Sequence, residues 1–311
     1  MISVVIPLYN KAQSIAKTIY CIQAQTYQDF EIVVVEGWST DGSDEIIERL
    51  AVADSRIHVY KQENRHGVTP ARNESVAHAK CDYIAFLDAD DYWETTYLET
   101  LWRLITTYPS AGIWGMSYGE LQGNVKHYVS NSYDTEFCGI IPNPWLLGSP
   151  YWTGATAISR QAFDAVGGFD NRIIFGEDID LWYRIMLRFP AVYDATHTLS
   201  FYRVDAENRA CNYSFPIEIH LPYYIDKYSE DRRANSDFRK FFDLQCLYRL
   251  YPYMFDQRYK KEALRIVSKI DFSLQKKTLY WRFKCPYLYR LYRRLRGITL
   301  TNYADYTGGR I

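Results

Sequence analysis

The chain has 311 residues, 48% of them hydrophobic and 23% charged, enough apolar content for a large folded core and not the composition of a disordered chain. A formal net charge of −1 gives no overall positive field for a phosphate backbone, which excludes nucleic acid as the main partner. Its six cysteines (Cys21, Cys81, Cys138, Cys211, Cys246, Cys285) stand far apart with no C-x-x-C pair, so neither a zinc site nor a disulfide scaffold is expected.

Ile2 to Ile6 is the first expected strand, and Pro7-Leu8-Tyr9-Asn10 turns out of it. Ile15, Ile19 and Ile22 follow at helical spacing. Glu31 to Val35 is a second buried strand, ending in Glu36-Gly37-Trp38-Ser39-Thr40-Asp41-Gly42-Ser43. Ile46, Ile47 and Leu50 mark the next helix, and Ile57 to Tyr60 a third strand. Thr69-Pro70 reads as an N-cap with Pro at the first helical position. Tyr83-Ile84-Ala85-Phe86-Leu87 is a fourth apolar run, short enough for a strand buried on both faces. A β-α-β-α-β-α-β series of this kind predicts a mostly parallel sheet with helices on both faces. The dinucleotide fingerprint G-x-G-x-x-G is absent, so a dinucleotide is not favoured.

Beyond residue 110 the pattern is mixed. Gly112 to Met116, Val125 to Val129 and Thr153 to Ser159 are expected strands, with a Pro/Gly/Trp-rich loop over 138–153. Gly167-Gly168-Phe169-Asp170 is a turn, and Glu177-Asp178-Ile179-Asp180 opens a helix whose dipole favours first-turn acids. Val192-Tyr193 and Leu199 to Arg203 read as two short strands. From about residue 213 the sequence is helical, aromatic and basic. The N-terminus enters a strand with no basic leader, and no stretch approaches the ~20 apolar residues of a membrane span. A cytoplasmic protein is expected.

The fourth strand runs into Asp88-Ala89-Asp90-Asp91. In an extended backbone Asp88 and Asp90 point the same way, and paired hard oxygen ligands suit Mg²⁺ or Mn²⁺. By itself such a cluster reads first as a cap for the next helix, begun near Trp93-Glu94-Thr95-Thr96. The Glu177-Asp178 pair alone reads in the same way, as stabilisation of a helix N-terminus.

Taken in order, Pro7-Leu8-Tyr9-Asn10, Glu36…Ser39-Thr40-Asp41-Gly42-Ser43, Ala71-Arg72-Asn73, Asp88-Ala89-Asp90 and Glu177-Asp178 resemble the family-2 glycosyltransferases of the GT-A fold, over roughly residues 1–205. The resemblance implies an inverting transfer of a sugar from a nucleoside-diphosphate donor, a UDP-sugar first, to a hydroxyl of a glycan or polyprenol-linked acceptor. It implies that Pro7, Tyr9, Asn10, Glu36, Ser39 and Arg72 contact the nucleotide, Arg72 through a permanently charged fork suited to an anion. Asp88 then holds ribose and metal, Asp90 the metal, and Mn²⁺ or Mg²⁺ offsets the diphosphate charge. Asp178 is the base that takes the acceptor proton and Glu177 positions acceptor or base. Trp152 lies on the floor beneath sugar and acceptor, where it stacks on a sugar or packs in the core. Arg203 lies in the loop that closes over the diphosphate in relatives. No His follows it here, and Asp205 reads as a surface acid. Asp180 reads as a solvated first-turn acid, and His197 and His220 as structural.

The chain departs from the family pattern at Glu36-Gly37, where paired Asp is usual, and at Trp38, where Gly is common. A rival reading is a sugar-nucleotide-binding protein without turnover. A nucleotidyltransferase is disfavoured because Leu8-Tyr9-Asn10-Lys11 is not a Gly-rich phosphate loop, and no nucleophile elbow supports a hydrolase.

Near the C-terminus Lys276, Lys277, Arg282, Lys284, Arg290, Arg293, Arg294 and Arg296 occur without an acid between them. Leu288, Leu291, Tyr292, Leu295 and Ile298 share one helical face. The stretch 276–298 is either a helix on an anionic membrane surface, which would put the protein on the inner face of the cell membrane, or a terminal helix packed on the body. The expected organisation is an α/β GT-A domain over 1–212 and a helical region over 213–311.

Overall fold

The computed structural model describes residues 1–63, 67–129, 133–206 and 216–295. The expected boundary at residue 212 and the tail residues Arg296 and Ile298 lie outside them. Chain contacts define two compact units, Met1–Pro144 with Ser149–Tyr213 and Trp145–Gly148 with Ser214–Ile311.

In the first unit the described residues form a ten-stranded sheet. Strand β1 (Ile2–Leu8) pairs in parallel with β2 (Phe30–Glu36) on one side and β4 (Tyr83–Phe86) on the other, and β3 (Ile57–Lys61) lies beyond β2. β1, β2 and β4 are buried on both faces because helices cover both, which explains their apolar runs, whereas the outer strand β3 is only partly buried. One face packs Ile2, Val4, Ile6 and Leu8 against Ile15, Ile19 and Ile22 of α1 (Ile15–Gln23). On the other face Phe86 meets Phe169 and Trp182 edge-on, with ring centroids 5.6 Å away in both cases. Pairing of β1 with β4 ends at Val5↔Phe86, so Pro7 lies where the ladder on that side needs no N–H.

Helix α2 (Ser43–Ala53) follows β2, and α3 (Val68–His78) follows β3. α3 begins two residues earlier than Thr69-Pro70 predicted, with Gly67 at its cap; Pro70 remains in the first turn, where a missing N–H costs nothing. After β4 the chain makes a two-residue strand β5 (Tyr92–Trp93), so the next helix, α4 (Tyr97–Thr107), starts later than expected.

The mixed half of the sheet contains β6 (Ile113–Gln122), β7 (Val125–Tyr128), β8 (Cys138–Ile140), β9 (Thr156–Ser159) and β10 (Ala191–Arg203). β8 and the single turn α5 (Pro144–Leu147) lie inside the stretch expected to be loop. Strand β9 is antiparallel to both β4 and β6, and β10 is parallel to β6. β1, β2, β4, β6 and β10 therefore all end at one edge, the edge where open α/β sheets bind ligands. The two short strands expected at 192–193 and 199–203 are one strand of 13 residues, irregular in register between Asp194 and Ser200. Helices α6 (Arg160–Val166) and α7 (Glu177–Met186) complete the unit. Gly167 and Gly168 join them at φ 80° and 69°, a left-handed turn that a side chain would strain.

The second unit is helical: α8 (Ser229–Ala234), α9 (Ser236–Leu250), α10 (Lys260–Val267), α11 (Lys277–Lys284) and α12 (Pro286–Leu295). Its interior holds Tyr228, Phe238 and Phe242 in mutual ring contact, and Trp145 packs edge-on against Phe238. His220 is buried here and hydrogen-bonds Tyr253 at 2.6 Å. Among the described residues no helix is long and apolar enough to cross a membrane.

Candidate active site

Two loops at the carboxyl edge, after β1 and after β2, are sewn together. The Asn10 N–H donates to Ser39 Oγ at 3.0 Å, and Asn10 Oδ1 accepts from the Thr40 N–H at 2.8 Å. The Lys11 N–H donates to Ser43 Oγ at 2.8 Å, and the Ala12 N–H to Asp41 Oδ2 at 3.0 Å. Asn10 holds φ 50°, a left-handed conformation that Asn tolerates. Trp38 is also left-handed, at φ 64°, which accounts for the Gly common at this position. Trp38 and Tyr9 remain 56% and 59% exposed, two aromatic faces at the end of adjacent strands.

Glu36 organises this cradle. It is fully buried, its Oε1 accepts from the Ser39 N–H at 2.5 Å, and its Oε2 accepts from the Trp38 N–H at 3.1 Å and Lys61 Nζ at 2.8 Å. Burial alone would raise its pKa, but Lys61 and Ser39 outweigh burial and hold it below the usual carboxylate range. Both oxygens thus have partners inside the chain.

The acids after β4 form a dense anionic cluster. Asp90 Oδ2 accepts from Lys11 Nζ at 2.6 Å. Asp91 is buried and its Oδ1 accepts the Arg203 N–H at 3.0 Å, while Arg203 Nε donates to the Asp90 carbonyl at 3.1 Å. Arg203 thereby ties the end of β10 to the end of β4. Burial raises the pKa of both Asp90 and Asp91, and neighbouring carboxylates add to it. Asp91 Oδ2 is buried without a hydrogen-bond partner among the described residues.

This donor set fits a divalent cation. The acids supply hard oxygen atoms, raise one another's pKa by crowding, and include an orphaned oxygen. Among the described residues no three His, Cys, Asp or Glu side chains enclose a metal position. An ion of Mg²⁺ type commonly takes one or two carboxylates and draws its remaining ligands from water and substrate phosphates, so an open arrangement is the suitable one.

Arg72 joins this cluster to the second acidic motif. It lies within α3, only 4% exposed, and its fork spans two carboxylates: Nη2 to Asp88 Oδ1 at 2.8 Å and Nη1 to Glu177 Oε1 at 2.7 Å. The sequence reading gave Arg72 to the nucleotide; in this structure its two terminal nitrogens hold protein carboxylates. Burial would lower its pKa, but Asp88, Glu177 and Asp178 together raise it. Asp88 keeps 32% of its side chain exposed, so it faces the open site.

Glu177 and Asp178 open α7. Glu177 is buried, and burial followed by the charge of Asp178 lifts its pKa to about 7 against the opposing pull of Arg72. Asp178 is half-buried, with Oδ2 accepting from Thr153 Oγ1 at 2.8 Å and Oδ1 from the Ile179 N–H at 2.7 Å. Asp180, expected in solvent, is instead fully buried. Its partner is Arg184, at 2.6 Å, which also donates to the Val166 and Gly168 carbonyls and ties α7 to the Gly167-Gly168 turn. The i,i+4 spacing of Asp180 and Arg184 was the available signal.

Trp152 is half-buried, its ring centroid 4.9 Å from that of Tyr118 and 5.8 Å from that of Tyr202. The ring lies over Gly154, where an added Cβ would come within 2.4 Å of it. His197 pairs with the buried Asp194 at 2.8 Å, and the exposed Asp205 accepts from the Gly123 N–H at 2.7 Å. Sequence reasoning missed four residues that hold the site: Lys11, Lys61, Asp91 and Thr153. Asp91 and Thr153 adjoin recognised motif positions; the two lysines gave no readable signal, since each meets its partner across a long sequence separation.

A parallel sheet extended by a mixed half, with carboxylates gathered where β4 and β10 end and helices on its faces, is the GT-A architecture. Residues 3–167 match the family described as glycosyl transferase family 2, and the chain belongs to that family. It is 35% identical over 140 residues to the glycosyltransferase GlyG of Streptococcus pneumoniae serotype 4, a match over 44% of this chain and 46% of that protein. It is 26% identical over 212 residues, 68% of this chain and 80% of the relative, to an Escherichia coli protein. That protein is the UDP-Glc:alpha-D-GlcNAc-diphosphoundecaprenol beta-1,3-glucosyltransferase WfaP. Among solved structures, S. aureus TarS 1-349 in complex with UDP-GlcNAc has a TM-score of 0.72 at 14% identity, covering 96% of this chain and 93% of that one. The likeness extends the shared fold over nearly the whole chain.

Proposed function

We propose that the protein is an inverting glycosyltransferase that moves a sugar from a nucleoside-diphosphate donor to a hydroxyl of a glycan or lipid-linked glycan. The observation that carries this reading is the Arg72 fork, which brings Asp88 of the first acidic motif and Glu177 of the second to opposite ends of one guanidinium. Donor-side and acceptor-side acids thus share one site.

In this reading Asp178 takes the proton from the acceptor hydroxyl. The acceptor oxygen bonds to the anomeric carbon as the bond to the diphosphate oxygen breaks on the opposite face, and the electron pair leaves with the diphosphate. Thr153 and the Ile179 N–H orient the Asp178 carboxylate for that role. Pro7, Tyr9, Asn10, Ser39 and Trp38 line the nucleotide side. Glu36 is the cradle's internal anchor and acts on the base or ribose through the loop that it shapes. Asp88 and Asp90 would hold Mn²⁺ or Mg²⁺, a Lewis acid for the departing diphosphate. Trp152 and Glu177 face the acceptor.

A UDP-sugar is the proposed donor, in keeping with the UDP-GlcNAc bound in the TarS structure and the UDP-Glc in the name of WfaP. We further propose attachment to an anionic membrane surface through the second unit, which would bring the enzyme to a polyprenol-linked acceptor.

Donor binding and transfer separate the roles. Asp90→Ala is expected to lose metal-dependent donor binding, measured by calorimetry. Asp178→Asn is expected to bind donor as the wild type does and to lose transfer by at least about a hundredfold. A wild type that binds nucleotide but transfers from no donor in a panel would replace this reading with that of a binding protein.

A further inference from the structure

We propose that Lys11 is a resident counterion of the aspartate cluster, displaced from Asp90 when the divalent cation arrives and then available to the donor diphosphate. This rests on the metal-assisted reading above and adds a role for a residue outside the motifs.

Lys11 Nζ lies 2.6 Å from Asp90 Oδ2, with only 13% and 11% of the two side chains exposed. A contact this short and this dry sets a full positive charge against the Asp90 carboxylate, where it repels a divalent cation brought to the same group. Among the described contacts neither nearby arginine reaches the Asp90 carboxylate. Arg72 is committed to Asp88 and Glu177, and Arg203 gives its backbone N–H to Asp91 and its Nε to the Asp90 carbonyl.

The backbone beneath Lys11 is pinned by the hydrogen bonds from Asn10, Lys11 and Ala12 to Ser39, Ser43 and Asp41. The four-carbon stem alone therefore moves the charge. Its pivot sits between the nucleotide cradle and the acids, so an ammonium released from Asp90 remains beside the place where phosphates would enter.

Metal and nucleotide then help each other. Metal alone must evict an ammonium and finds few protein ligands. With nucleotide present it gains phosphate oxygens, and the evicted ammonium gains an anionic partner. This positive coupling is reciprocal by linkage.

Mn²⁺ binding, read from the paramagnetic resonance of the free ion, tests the proposal with and without UDP, alongside calorimetric UDP titrations at saturating Mn²⁺. Lys11→Met and Lys11→Gln are expected to bind Mn²⁺ about fivefold or more tightly without UDP, and UDP about fivefold more weakly with Mn²⁺. Lys11→Arg, which keeps the charge, is expected to retain weak nucleotide-free Mn²⁺ binding. A general structural role would weaken both ligands. Lys11→Met and Lys11→Gln variants with unchanged or weakened nucleotide-free Mn²⁺ binding overturn the proposal, while Mn²⁺ binding by wild type with UDP leaves the metal-assisted reading standing. If wild type and Asp90→Ala alike bind no Mn²⁺ even with UDP, that reading falls and this inference falls with it.

Discussion

Glu177 sets two physical terms against each other. A permanent cation lies 2.7 Å from its carboxylate, yet removal from water and the neighbouring Asp178 lift its pKa to about 7. A carboxyl whose folded pKa lies above its ordinary 4.5 favours the protonated form in the folded state. Its contribution to stability is therefore full at low pH and is lost as pH rises from 4.5 through 7. The loss amounts to about 3 kcal/mol. Glu177→Gln removes it, since an amide does not titrate. Denaturant unfolding at pH 5 and pH 8 is expected to show wild type losing roughly 2 kcal/mol more than the variant, since part of the loss lies below pH 5. Equal losses in the two proteins would mean that Glu177 is already ionised at pH 5. Acids shared with the variant cancel in this comparison, which is why a difference is measured.

At the scale of elements, the short turn Thr153–Ala155 does more than its length suggests. Thr153 orients Asp178, and the Gly154 carbonyl accepts from both Trp93 Nε1 and Ser200 Oγ at 2.6 Å. The bare Cα of Gly154 is what leaves room for the Trp152 ring, which packs at a tilt against Tyr118. Gly154→Ala places a methyl group inside that ring, and overpacking of this kind costs roughly 1–3 kcal/mol. Trp152→Ala in the same chain removes the clash, so Gly154→Ala is expected to cost little in that background. Thermal unfolding of the two single variants and the double one measures it. A Gly154→Ala cost undiminished by Trp152→Ala would exclude the ring as the source of strain. The parallel half of the sheet was legible because its strands are short apolar runs punctuated by turn residues. The mixed half was legible in part: β6, β7 and β9 fall on expected strands, whereas β8 lay in an expected loop and β10 was read as two strands. β10 carries Asp194, Thr196 and His197 mid-strand, so one element read as two, and its polar residues are satisfied by pairing with one another. The roles of motif residues were legible by position; their partners were not, because Lys11 and Asp90 are 79 residues apart and Arg72 and Glu177 are 105 apart.

At the scale of the molecule, where the enzyme would work depends on the second unit. The basic stretch from residue 276 is not uniformly available to a membrane. Arg282 is buried, its guanidinium 3.7 Å above the Tyr251 ring, so this base belongs to the interior of its unit. Lys276, Lys277 and Lys284 are exposed, and beside them Trp281, Tyr287, Leu288 and Leu291 are more than half exposed. Aromatic and aliphatic side chains in water next to lysines make a poor solvated face and a good interfacial one, with rings at headgroup depth and ammonium groups among anionic lipids. Each lysine contributes roughly 1 kcal/mol near such a surface, so the electrostatic part is modest and salt-sensitive. The protein is expected to sediment with vesicles containing anionic lipid at low ionic strength, to be released by high salt, and to ignore purely zwitterionic vesicles. Trp281→Ala with Leu288→Ser removes apolar contact while leaving every charge in place, and is expected to weaken sedimentation about tenfold or more, since it withdraws two side chains worth roughly 1.5–3 kcal/mol each when buried. Wild type that stays in the supernatant under all these conditions would assign the exposed apolar residues to contact with another protein surface instead.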